Sequence, residues 1–142
     1  MKLVLILSIL FVNNMEEPPG PKGWDIFDEV VFQSTYFDEV GAYFEVPVFN
    51  DDLIAMQKSE ISLTGYYIPL EIDSVFMLSA SPFSSCFFCG GAGPETIAEI
   101  QFEKLSKLPK PDELIKVKGK LKLNNTDINH MNFILQDAKI IQ

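Results

Sequence analysis

Two cysteines, Cys86 and Cys89, stand in the stretch Ser84-Ser85-Cys86-Phe87-Phe88-Cys89-Gly90-Gly91-Ala92-Gly93-Pro94-Glu95, which also holds three of the eight glycines of the chain. Cys-x-x-Cys-Gly has the shape of a zinc knuckle. Two thiolates at this spacing can grip one ion, and the glycine lets backbone N–H groups turn toward sulfur. A closed tetrahedral site needs more than a pair, and there is no second cysteine pair. Glu95, Asp73 and Asp137 are acids available to add oxygens, and His130 is the only histidine. Lying in a turn before the last expected strand, His130 reads as a solvent-exposed turn residue rather than a ligand. The metal ligands expected from sequence are therefore Cys86 and Cys89. They form a half-site for zinc or copper, completed by a partner protein or a second copy.

Two other chemistries compete for the same thiols. Cys-x-x-Cys is also the spacing of thiol-disulfide oxidoreductases, whose reactivity depends on a helix N-terminus that lowers the thiol pKa. Gly90-Gly91-Ala92-Gly93-Pro94 is a poor helix start, and no thioredoxin-type βαβ pattern surrounds it. An extracytoplasmic oxidoreductase is thus the weaker alternative. A structural Cys86–Cys89 disulfide carries about the same weight as metal binding, because exported dithiols commonly oxidise. Phe87 and Phe88 add a further option. They either dock a partner or turn inward and cap the fold.

Charge narrows the partners. The chain has eleven lysines, no arginine and twenty acids, for a formal net charge of −9. An acidic chain repels phosphate backbones, which weighs against nucleic acid. Lys116, Lys118, Lys120 and Lys122 do alternate with Val117, Gly119, Leu121 and Leu123, giving one strand a basic face. That face lacks interleaved aromatics for base stacking, and Glu99, Glu103 and Glu113 are near in sequence. It reads as a solvated outer face whose lysines discourage edge-to-edge pairing. Catalysis gains no support: there is no Gly-x-Ser-x-Gly elbow and no phosphate loop followed by Lys-Ser or Lys-Thr.

The elements that position the cysteine stretch follow from periodicity. Lys2 and the mostly apolar run Leu3–Val12 suit a secretory signal over residues 1–14, and ten residues are too few to span a bilayer as a helix. The chain is therefore expected to be exported, periplasmic or secreted, and not an integral membrane protein. Residues 15–23, with Pro18, Pro19, Gly20, Pro21 and Gly23, read as a linker, and residues 24–142 as a single domain. Trp24 and Phe27 are spaced for a short helical turn that plugs one end of a core. Residues 30–49 suggest two strands, with Pro47 near an edge, and Asn50 opens a short helix. Five strands follow, at about 60–71, 75–79, 96–102, 114–123 and 131–141, with the cysteine loop between the second and third. Gly65 marks a sharp bend or a close contact in the first of these. The pattern predicts an all-β fold with minor helix: a small five-stranded OB-like Greek-key barrel carrying an N-terminal strand and short-helix extension.

Trp24, the strand Leu63-Thr64-Gly65-Tyr66-Tyr67-Ile68-Pro69-Leu70, the cysteine loop, Val117-Lys118-Gly119-Lys120-Leu121 and Leu135-Gln136-Asp137-Ala138 together resemble an uncharacterised family of small exported bacterial proteins with OB-like domains. In many of those proteins the loop resembles Cys-x-His followed by prolines, whereas here a second thiol takes that place. The resemblance suggests metal handling and implies no enzymatic activity. The expectation is an exported, non-enzymatic module that binds a metal through Cys86 and Cys89 or docks a partner through Phe87 and Phe88.

Overall fold

Alternation of apolar and polar residues sets the longest strands. In a computed structural model, which describes residues 19–70 and 75–141, β3 (Glu60–Pro69) buries Ile61, Leu63, Gly65 and Tyr67 on one face, and β6 (Leu114–Leu123) buries Ile115, Val117, Gly119 and Leu121. These two strands pair antiparallel, with Leu63 opposite Val117. Together with β4 (Phe76–Ser79), β5 (Ile97–Phe102) and β7 (Phe133–Ile141), they close a barrel in the order β3-β4-β5-β7-β6. β5 and β7 are parallel and every other barrel pair is antiparallel. The strand count and the position of the cysteine loop expected from sequence are those observed. The connection expected at 72–74 lies outside the described residues, as does the leader over residues 1–14.

The barrel interior is filled by Leu63, Leu78, Ala98, Val117, Leu121, Phe133 and Leu135. Trp24–Phe27 forms the expected short turn, of 3-10 type, and closes one end. Phe27 is fully buried and stacks on Phe133 with ring centroids 4.0 Å apart, and the Trp24 indole donates to the Thr64 carbonyl at 2.8 Å. The last residues of the expected linker also dock on the barrel. Lys22 and Thr64 exchange backbone hydrogen bonds of 3.0 and 2.9 Å.

The N-terminal extension is a separate two-stranded sheet. β1 (Val31–Phe37) and β2 (Ala42–Val48) pair antiparallel around the Asp38–Gly41 turn. Two such strands are marginal alone, and this pair is held at its base. Phe32 packs against the barrel core, Pro47 is buried, and Phe49 meets Phe133 edge-on. Next comes α1 (Asp51–Ala55), where the Asn50 side chain accepts from the Leu53 N–H at 2.8 Å and Leu53 is buried.

The outer faces of β4 and β5 do not alternate cleanly, because a second layer covers them. Ile68, Met77 and Ile97 point away from the barrel interior yet are buried, together with Cys86, in a smaller apolar cluster that Phe87 and Met131 adjoin. The cysteine loop folds back over the sheet and roofs it. No helix among the described residues is long and apolar enough to cross a membrane.

Gly65 lies where β3 passes closest to its neighbours. A Cβ there would stand 2.5 Å from the Ser79 carbonyl oxygen and 3.1 Å from the Trp24 ring. Backbone on one side and an anchored indole on the other leave nothing that can give way. Gly65→Ala is therefore expected to lower stability by about 1–3 kcal/mol, read as a shift in the urea unfolding midpoint at unchanged m-value.

Candidate functional site

The cysteine loop, too glycine-rich to predict as regular structure, is three short 3-10 turns, Phe83–Ser85, Phe87–Cys89 and Pro94–Thr96. Serines, a proline cap and the glycines accept such single turns where a longer helix would fail. Cys86 joins the first two. Its carbonyl accepts from the N–H groups of Cys89 and Gly91, both at 3.1 Å. The backbone donors of this knuckle-like turn are thus aimed at a carbonyl and not at a sulfur. Gly91 is needed for closure, since a Cβ would fall 2.6 Å from the Ser85 carbonyl oxygen.

The two sulfurs differ in position. Cys86 is fully buried beside Ile68, Met77 and Ile97, whereas Cys89 is exposed and donates to the Phe83 carbonyl at 2.9 Å. Both are free thiols. The Cys89 thiol is pushed above its ordinary pKa, first by local desolvation against the loop and then by its hydrogen bond and Coulombic coupling to Cys86. A reactive redox cysteine is shifted the other way. Among the described residues, no three His, Cys, Asp or Glu side chains are grouped to hold a metal ion. Glu95, His130 and Asp137 therefore do not complete the pair into such a group, and Asp73 lies outside the described residues. The two phenylalanines are placed differently: Phe87 packs on the small cluster, and Phe88 is exposed with its ring edge-on to Phe87 at 5.4 Å.

His130 has more structure than its turn position suggests. Its Nδ1 lies 2.9 and 3.1 Å from the two oxygens of Glu99, a residue only 5% exposed on the outer face of β5. Glu99 also accepts from the Met131 N–H at 3.1 Å and from the Gln101 amide at 3.0 Å. With both Glu99 oxygens facing it, Nδ1 is the ring nitrogen placed to donate to the carboxylate. His130 is thus an exposed turn residue, as expected, but one pinned by a buried acid.

Asn124 organises the rest of that loop. Its side chain donates to the carbonyls of Asp127, His130 and Met131 and accepts from the N–H groups of Thr126 and Asp127. Neither Asn124 nor Glu99 has a signal of its own in the sequence. Each looks like any turn asparagine or strand glutamate, and only the loop spanning from 124 to 132 brings the partners together.

These pieces border a pocket of about 370 Å³. One wall is the hairpin, through Phe37, Tyr43, Phe44, Glu45 and Val46. The facing wall is the β6–β7 loop from 125 to 132, and Phe87 and Pro94 of the cysteine loop close the remaining side. Asp127 lies on the rim, and its carboxyl is held below the usual range by hydrogen bonds from the backbone and side chain of Asn129. It keeps its charge to a lower pH than an ordinary aspartate does. Of the four residues singled out in the cysteine loop, Phe87 lines this pocket and Cys86, Phe88 and Cys89 do not.

The lysine face of β6 is outward, as expected. Lys118 pairs with Glu60 at 2.7 Å and Lys120 with Asp137 at 3.1 Å, exposed pairs of the kind that contribute about 0–1 kcal/mol each. No protein-family model, curated protein or solved structure matches this chain.

Two measurements check this site. Iodoacetamide is expected to modify Cys89 alone in the folded protein and Cys86 only after denaturation, with the Cys89 rate still climbing above pH 9; mass spectrometry of the alkylated peptides reads both. Glu99→Ala leaves three donors without their acceptor and is expected to cost about 2–3 kcal/mol, seen in urea unfolding, with loss of slow hydrogen exchange at the Met131 amide.

Proposed function

We propose that this chain is an exported, non-enzymatic docking module whose pocket holds an apolar side chain from a positively charged segment of a partner protein. The observation that carries this reading is the pocket itself: Phe37, Phe44, Phe87 and Met131 on its walls, Glu45 and Asp127 beside them, and no lysine in the lining. Its volume falls within the roughly 300–1,000 Å³ of ordinary ligand sites. The surrounding charge points to a cation. Between residues 23 and 57, which include the whole hairpin, there are eight acids and no lysine or arginine.

The fold supports binding at this place. OB barrels commonly bind ligands on the face of their second and third strands and at the loop between the fourth and fifth. Here those strands are β4 and β5, whose outer face is roofed by Cys86 and Phe87, and the loop is the one that carries His130. What remains open is the pocket at the loop. His130 has the oriented imidazole of an acid–base residue, but its ring has no hydrogen-bonded hydroxyl or thiol among the described residues, which favours binding over catalysis. Cys86 and Phe87 act in this reading as the packed underside of the loop that forms one wall. Capture of zinc or copper by Cys86 and Cys89 has less support, since it would draw a fully buried sulfur out of an apolar cluster. Export rests on the apolar run Leu3–Val12 and on the resemblance to exported OB-like proteins.

Small probes test the charge and the walls together. Phenethylammonium and 3-phenylpropionate share a ring and differ in the sign of their charge. In NMR titrations the cation is expected to bind with Kd on the order of 1 mM and about fivefold more tightly than the anion. Phe44→Ala and Phe87→Ala, confirmed folded by their spectra, should weaken it about tenfold. Equal binding of both probes, or shifts that ignore both substitutions, would overturn the reading.

A further inference from the structure

The pocket covers the Phe37, Phe44 and Val46 face of the hairpin and reaches around the edge of β2. Side chains of successive strand residues point to opposite faces, yet Tyr43, Phe44, Glu45 and Val46, four residues in succession, all line it. A cavity that touches four consecutive residues of one strand must run beside the backbone. That edge is also unpaired. β2 hydrogen-bonds to β1 on one side, and among the described residues Ala42–Val48 make no backbone hydrogen bond on the other.

Exposed edges of this kind are usually blunted with lysines, bulges or prolines. β2 has Pro47 near its base, where it pairs with Phe32, and over residues 43–46 the one charged side chain is Glu45, which leaves the edge open to a basic strand. The two faces of the edge differ in chemistry. Phe44 and Val46 belong to one face, and Tyr43 and Glu45 to the other. Four residues span about 13 Å, enough for a short extended chain to gain several main-chain hydrogen bonds.

We infer that the partner binds by strand addition: an extended segment with alternating basic and apolar residues pairs with the free edge of β2, its apolar side chains entering the pocket beside Phe44 and Val46 and its basic ones facing Glu45. This rests on the docking function proposed above and specifies the partner's conformation and pattern. Strand addition draws affinity from the backbone and specificity from pockets that take alternate side chains, and this edge and this pocket supply the two together. Charge selects the occupant. The hairpin turn adds Asp38 and Glu39 to Glu45, so a basic segment is attracted along the whole edge and an acidic one is repelled.

Three synthetic heptapeptides separate the possibilities. The first is acetyl-Lys-Val-Lys-Leu-Lys-Val-Lys-amide, the second is the same peptide N-methylated at alternate amides, and the third has glutamate for each lysine. Isothermal titration is expected to show binding of the first, at least a tenfold loss for the second and at least a tenfold loss for the third. Hydrogen exchange should slow at amides within 43–46 when the first binds. If the methylated peptide binds as well as its parent, strand addition is wrong while the docking pocket stands. If methylation abolishes binding but Phe44→Ala and Phe87→Ala leave it unchanged, strand addition stands and the pocket reading fails. No binding of the first peptide up to about 1 mM, near −4.1 kcal/mol, overturns the inference. So does a dimer by sedimentation equilibrium in which the β2 amides are already protected, because a second copy is then the occupant.

Discussion

The stack of Phe27 on Phe133, locked by the Trp24 indole against Thr64, is the contact on which the remaining architecture rests. It closes the barrel at one end and fixes where the chain leaves it. β1 and β2 depart from that anchor and return through Phe49 and Leu53, so the hairpin is tethered at both of its ends. A hairpin held only by its own hydrogen bonds would not keep a stable distance from the β6–β7 loop. With the anchor in place, the space between them is a defined cavity.

A second constraint acts on the opposite wall. Buried Glu99 on β5 gathers His130 and Met131, and Asn124 gathers the backbone from Asp127 to Met131. A loop of this length would ordinarily be mobile. Here its polar groups are satisfied internally, and no buried side-chain nitrogen or oxygen among the described residues lacks a hydrogen bond. The loop is stiffened by polar pinning, whereas the cysteine loop is stiffened by apolar packing of Cys86 and Phe87. The pocket is bounded by both kinds.

Much of the fold was legible in the sequence, because it is written in short-range patterns. Alternation in Ile61–Tyr67 and Ile115–Leu121 gave the longest strands, Asn50 gave the helix cap, and Trp24 with Phe27 gave the plug. The site was far less legible. Cys86 and Cys89 drew attention as the only thiols, but the motif does not encode depth. One sulfur is buried because the loop folds onto Met77 and Ile97, a contact between elements. Glu99 and His130 are thirty-one residues apart, and a pair at that separation leaves no periodic trace. Phe87 was legible as a candidate; its companions Phe44 and Met131 were not, because facing walls from three separate segments are visible only in the assembled chain.

The place of β7 has a consequence for when this molecule can exist at all. The last barrel strand in sequence is not at a margin but is inserted between β5 and β6, parallel to one and antiparallel to the other. Until residues 133–141 have emerged from the ribosome, β5 and β6 have no common neighbour and the cylinder stays open. Closure thus waits on β7, and until it pairs, the apolar surfaces of the other four strands share an open seam. A chain built this way holds its four earlier strands as an open sheet with two unpaired edges until that strand arrives.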